Sequence, residues 1–145
     1  MKRFSFIVLT TLFVLSLPSC TDDGGCSFTG NWKVKSADLQ SSKLSETILQ
    51  MAKEDMLSTT YAFSKDGNIT ITGGGGSTVR VGSWTFDKAT QEVTWSGKGN
   101  TGEEFKEVSK VDACTPSDIS LFQRIPSDTT KEEIAKISFI LEKVN

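Results

Sequence analysis

Short runs of alternating apolar and polar residues make up most of the chain beyond residue 28, and clusters of turn residues separate them. A period of two is typical of β-strands that bury one face. The clearest hairpin has Asp66-Gly67 at its turn, because this dipeptide readily adopts the positive dihedral angles that a tight turn requires. On either side of it the alternating apolar residues are Tyr61, Phe63, Ile69 and Ile71. The alternation predicts an all-β, antiparallel protein.

The chain contains eight such runs. Their residues are, in chain order, Trp32 and Val34, Tyr61 and Phe63, Ile69 and Ile71, Val79 and Val81 with Trp84 and Phe86, Val93 and Trp95, Phe105–Val111, Ile119–Phe122, and Ile137–Val144. Eight antiparallel strands leave no exposed sheet edge if they close into a small barrel, and a two-sheet sandwich is the alternative. We favour the barrel, because aromatic side chains can line or fill an interior of this size.

The fourth run changes parity in its middle. Val79 and Val81 share one face of a strand, whereas Trp84 and Phe86 share the other. Glycine removes the steric obstacle to a change of direction, so we expect a bulge or a sharp bend at Gly82-Ser83.

One segment has a helical period instead. The apolar residues of 42–57 that recur every three or four positions are Leu44, Ile48, Met51 or Ala52, and Met56. Ser41 or Ser42 is available as the N-cap, so the pattern predicts one amphipathic helix between the first two strands. We interpret its apolar stripe as core packing. A capping box formed by Thr130 and Glu133 also predicts a short helical turn over 129–135.

The first residues have the composition of a secretion signal. Lys2 and Arg3 precede the apolar run Phe4–Leu17, which is shorter than the span of about 20 residues that a transmembrane helix needs. The tetrapeptide Leu17-Pro18-Ser19-Cys20 resembles the lipobox of bacterial lipoproteins. That resemblance implies that Cys20 becomes the first mature residue and carries acyl chains, which would make a membrane its partner.

An acidic pair, Asp22-Asp23, follows the lipobox. It resembles the export signals that send some lipoproteins of Gram-negative bacteria to the outer face of the outer membrane, and a plain flexible tether is the alternative. We therefore expect an outer membrane lipoprotein that is exposed on the cell surface. Its segments would be a signal peptide over 1–19, a lipidated tether over 20–27 and the barrel domain over 28–145.

Two cysteines remain once Cys20 is assigned to lipid. Cys26 and Cys114 form an even pair in a chain exported to an oxidising compartment, so we expect them to form a disulfide. A reactive thiol is the alternative, but neither cysteine has a neighbouring histidine or a Cys-x-x-Cys partner that would lower its pKa.

Composition excludes several kinds of function. The chain has no histidine, which is the commonest general base and the commonest metal ligand. Its net charge is −2 and its basic residues form no patch, so we expect no nucleic-acid partner.

Catalytic motifs are also missing from the sequence. Gly73–Gly76 lacks the Lys-Ser or Lys-Thr ending of a phosphate-binding loop. The acidic run 103–107 has the pattern of a solvated strand face, and the adjacent carboxylates of Glu103-Glu104 would point to opposite sides of a strand. The sequence therefore predicts a protein that is not an enzyme and that uses no metal and no cofactor.

Three motifs in a fixed order resemble those of lipocalin-like domains in small Gram-negative lipoproteins. They are the opening strand Gly30-Asn31-Trp32, the hairpin Tyr61–Asn68, and a second Gly-x-Trp strand at Gly82-Ser83-Trp84. The resemblance implies a barrel whose first-strand Trp32 is a structural core residue covered by a basic side chain from near the last strand. Arg124 is the expected counterpart, with Lys143 as the alternative.

The leading functional hypothesis is a non-catalytic barrel that binds a small apolar or amphipathic ligand at its open end. The expected ligand contacts are Tyr61, Phe63, Trp84 and Trp95. The alternative is a filled barrel that acts as a protein-interaction, inhibitor or immunity module and binds an envelope protein, because fold alone does not determine function.

Overall fold

The computed structural model describes residues 26–126 and 132–144. Its strands are β1 (Gly30–Gln40), β2 (Thr60–Phe63), β3 (Asn68–Gly73), β4 (Thr78–Asp87), β5 (Glu92–Gly99), β6 (Glu104–Cys114), β7 (Asp118–Pro126) and β8 (Glu133–Val144), and one helix, α1 (Glu46–Leu57), lies between β1 and β2. Each strand pairs antiparallel with the next, and β8 pairs with β1 to close the barrel. The predicted eight-stranded barrel with a single helix after its first strand is confirmed.

The barrel has two ends of different construction. The closed end carries the β2–β3, β4–β5 and β6–β7 turns (residues 64–67, 88–91 and 115–117) together with residues 26–29. The open end carries α1 and the β3–β4 and β5–β6 turns (residues 74–77 and 100–103).

Residues 26–29 plug the closed end. Phe28 is buried, and its ring packs at 5.5 Å from Phe63, 5.6 Å from Trp84 and 5.3 Å from Phe86 between centroids. Its carbonyl accepts a hydrogen bond of 2.6 Å from the indole nitrogen of Trp32, which is fully buried. The predicted disulfide between Cys26 and Cys114 is present and holds this segment against the barrel.

The Gly-x-Trp motif of β1 has a physical explanation. Gly30 has a φ of 131°, and a Cβ atom at this position would lie 3.1 Å from Cε of Lys143. The space left by Gly30 lets the Lys143 ammonium lie 5.5 Å from the centroid of the Trp32 ring. Arg124 instead lies over Phe122, at 5.7 Å, so the expectation that Arg124 covers Trp32 is wrong and the alternative residue occupies that place.

The expected bulge at Gly82-Ser83 is absent. β4 keeps one register with both β3 and β5 from end to end, and its even-numbered residues face inward. Val81 is therefore 55% exposed, and Arg80 faces the interior. Gly82 serves another purpose: a Cβ atom there would lie 1.9 Å from the carbonyl oxygen of Ser96, so glycine permits a very close approach of two strands.

Helix α1 differs from its prediction in two ways. It begins after Ser45, whose hydroxyl accepts from the Ile48 amide, and not after Ser41 or Ser42. Leu49, Ala52 and Met56 form its less exposed face, whereas the apolar residues predicted for the core are mostly exposed. These exposed residues, which we call the α1 stripe, are Leu44, Ile48 and Met51.

Several predictions fall on residues outside the described ranges. They include the signal peptide, Cys20, the acidic pair and the helical turn predicted over 129–135, of which only the last part is described. Glu133–Ala135 belongs to β8, so that part of the turn prediction is wrong. Within 26–126 and 132–144, no helix is long and apolar enough to cross a bilayer.

A candidate cavity at the open end of the barrel

A cavity of about 670 Å³ occupies the open half of the barrel. Its deepest apolar wall is formed by Ile71, Ile137 and Phe139, which face inward from β3 and β8. Met56 of α1 and Ile125 of β7 extend this wall toward the opening. The interior is therefore hollow at one end, although the other end is packed with aromatic rings.

A part-buried polar cluster also lines the cavity, and Arg80 pairs with Ile71 across the β3–β4 contact. Arg80 of β4 donates from Nη1 to Oε1 of Glu107 on β6 over 2.8 Å. The second carboxylate oxygen of Glu107 accepts from the indole nitrogen of Trp95, also over 2.8 Å. Both oxygens of Glu107 thus have a donor on the protein, and this satisfies a carboxylate whose side chain is only 27% exposed.

The Arg80 side chain reaches across a whole strand to make this contact. β5 lies between β4 and β6, and its inward positions on the open side of Trp95 are Gly97 and Gly99. The guanidinium crosses β5 to reach Glu107 and also lies 5.5 Å from the centroid of the Phe105 ring.

Tyr61 is the third polar residue of this cluster. Burial raises the pKa of its hydroxyl well above the ordinary value, Glu107 raises it further, and Arg80 opposes the shift. The hydroxyl is therefore neutral at every physiological pH. Tyr61 lines the cavity, so its hydroxyl can serve a bound molecule as donor or acceptor.

The four predicted ligand contacts do not all reach the cavity. Tyr61 lines it, whereas Phe63, Trp84 and Trp95 do not. Trp95 is fully buried behind the cavity wall, with its ring 5.8 Å from that of Tyr61. Phe63 and Trp84 contact Phe28 and belong to the plug of the closed end.

Neither charged residue of the wall, Arg80 or Glu107, was predicted from the sequence to line the interior. Arg80 lies between Val79 and Val81, whose alternation predicts that the valines face inward. Glu107 lies in the acidic run 103–107, whose pattern predicts a solvent-exposed face. Glu107 is half-buried, so that interpretation is wrong at this position. Strand alternation could have indicated the inward position of Glu107, because Glu107 lies on the same face of β6 as Phe105, Ser109 and Val111. Ser109 and Val111 on this face are buried.

The described residues contain no group of three or more histidine, cysteine or acidic side chains that could hold a metal ion. An apolar wall and a polar cluster line the same cavity, and each oxygen of Glu107 accepts one hydrogen bond from the protein. The chain matches no protein-family model and no curated protein.

Proposed function

We propose that this chain is a non-catalytic, lipid-anchored envelope protein of lipocalin-like type that binds a small amphipathic ligand in the cavity. The cavity carries the proposal. Its volume of about 670 Å³ lies within the range of about 300–1,000 Å³ that is common for small-molecule sites. One apolar wall and a few convergent polar groups are the lining that such sites use.

A titration with a fluorescent apolar probe tests this function. The probe is expected to bind the mature domain at one site, and Gln123→Trp is expected to weaken binding at least about tenfold by filling the cavity. Gln123 faces the cavity from β7, so a larger side chain there takes up empty volume. Thr85→Trp, on the exposed outer face of β4, is the matched control. Equal binding by both variants would contradict the cavity as the site.

The lipid anchor is the part of the proposal that depends on sequence resemblance. Cys20→Ser is expected to release the protein from the membrane fraction of its native host, because the acyl chains would have no attachment site. Continued extraction of this variant only by detergent would contradict lipidation at Cys20.

A second candidate function is protein interaction, and the α1 stripe is the observation in its favour. Met51 is 66% exposed, Ile48 lies one turn before it on the same side of the helix, and the exposed Leu44 directly precedes the N-cap Ser45. This candidate no longer depends on a filled barrel. Ile48→Glu would abolish binding of an envelope protein to the stripe and leave probe binding unchanged, which separates the two functions.

A further inference from the structure

We infer that the cavity selects an amphipathic ligand whose head group is a neutral hydrogen-bond acceptor, such as an amide or ester carbonyl, over the corresponding carboxylate. The inference rests on the proposed ligand-binding function and specifies the chemistry of that ligand. It follows from the hydrogen-bond donors of the polar cluster that a ligand can still use, and from the charges that a ligand would meet there.

The donors outnumber the acceptors on the polar wall. Glu107 is the acceptor of the cluster, and two of its roughly four lone-pair sites already accept from Arg80 and Trp95. Arg80 has five N–H groups, and only those of Nη1 donate to another described residue. The remaining guanidinium N–H groups and the Tyr61 hydroxyl are left to donate to whatever enters the cavity. A head group that accepts hydrogen bonds therefore fits this wall.

The charge of the wall favours a neutral acceptor over an anion. Glu107 already neutralises Arg80 at 2.8 Å and is fixed in place by Trp95, so it cannot turn away from an incoming group. A carboxylate that accepted from Arg80 would stand beside Glu107 in a partly desolvated site, where like charges repel strongly. A carbonyl oxygen accepts from the same donors without that repulsion.

The other charged groups that face the cavity do not reverse this preference. Asp55 and Arg124 lie near the opening and have opposite signs, and Arg124 is paired with Glu133 at 3.4 Å. Lys106 is exposed to solvent, which screens its charge. The apolar body of the ligand would lie against Ile137 and Phe139 of β8, which lies across the barrel from β4.

The test compares two probes that share one fluorophore-labelled hydrocarbon chain, a fatty acid and its primary amide, each below its critical micelle concentration near neutral pH. Wild type is expected to bind the amide about tenfold or more tightly than the acid. Glu107→Gln keeps an acceptor for one of its two donors, Arg80 or Trp95, and removes the negative charge, and we expect it to reverse the preference toward the acid. Glu104→Gln is the control, because Glu104 is 82% exposed on the same strand.

Each outcome bears on a different statement. Equal affinity for acid and amide in wild type, or preference for the acid, would overturn the head-group inference and leave the binding function standing. Failure to bind either probe would overturn both. If Glu107→Gln does not fold, the double variant Arg80→Met/Glu107→Gln removes both charges together, and it should bind the two probes with similar affinity. A double variant that kept the wild-type preference would also overturn the inference.

Discussion

The two ends of the barrel are built from the same eight strands but differ in what occupies the inward positions. At the closed end those positions hold large rings, and the plug of residues 26–29 adds Phe28 to them. At the open end they hold Gly97, Gly99 and the Arg80–Glu107 pair, so side-chain volume is missing there. One half of the barrel is filled and the other half is hollow.

This difference separates stability from binding along the barrel axis. The apolar area that stabilises the fold is concentrated where the rings meet, since burial of apolar surface is the main favourable term in folding. The cavity removes such contacts from the open half. Substitutions at the closed end should therefore change the free energy of unfolding, and substitutions at the open end should change ligand affinity.

Truncation of Trp32 should have the largest effect on stability. Trp32→Ala removes a fully buried ring and its hydrogen bond to Phe28, and it is expected to lower the free energy of unfolding by about 3–5 kcal/mol. Gln123→Ala at the open end should change it by less than about 0.5 kcal/mol. Urea denaturation measures both values. Similar losses for the two variants would remove the distinction between the ends.

Loss of the disulfide should have the next largest effect. Cys26 and Cys114 are 88 residues apart, and a crosslink of this length stabilises by about 4 kcal/mol by restricting the unfolded chain. Cys26→Ala/Cys114→Ala should lower the unfolding midpoint yet bind the apolar probe normally while folded. Reductant should destabilise wild type and leave the double variant unchanged. A loss of probe affinity in the folded double variant would show that the two ends are coupled.

The smallest effect is expected from the cation over Trp32. Lys143→Met should lower the free energy of unfolding by about 0.5–1 kcal/mol, because it removes an ammonium that lies over the Trp32 ring. Arg124→Met is the matched variant, since Arg124 lies over Phe122 near the opening and is 70% exposed. Thermal denaturation of the two proteins side by side measures the difference. A larger loss for Arg124→Met would reverse the assignment made from the structure.

The strand pattern could be predicted because it is local. Alternation and turn residues specify which segments extend, and all eight strands formed where apolar residues alternate. Which residues of β4 point into the barrel could not be predicted in the same way. Val79 and Val81 have strong β propensity on either face, whereas the inward position of Arg80 depends on Glu107, which is 27 residues away in sequence.

The same limit explains what was missed about the cavity and the helix. The sequence predicts that the aromatic residues lie in the interior, but it does not indicate which of them line a cavity and which lie behind its wall. Trp95 is a predicted ligand contact, although it lies behind Glu107. A helical period likewise shows that apolar residues share a face without showing what covers that face. In the structure Leu49, Ala52 and Met56 are turned toward the barrel, and Ile48 and Met51 are left in solvent.

The position of the disulfide has a consequence for orientation at a membrane. Cys26 is fixed at the closed end, and five residues separate it from Cys20, a distance of at most about 20 Å for an extended chain. The 11 residues of β1 span about 25–30 Å along a barrel axis to which strands are tilted. A lipid on Cys20 would therefore tether the packed end near the bilayer and turn the cavity outward. Such a protein would collect its ligand from the aqueous side rather than from the membrane that holds it.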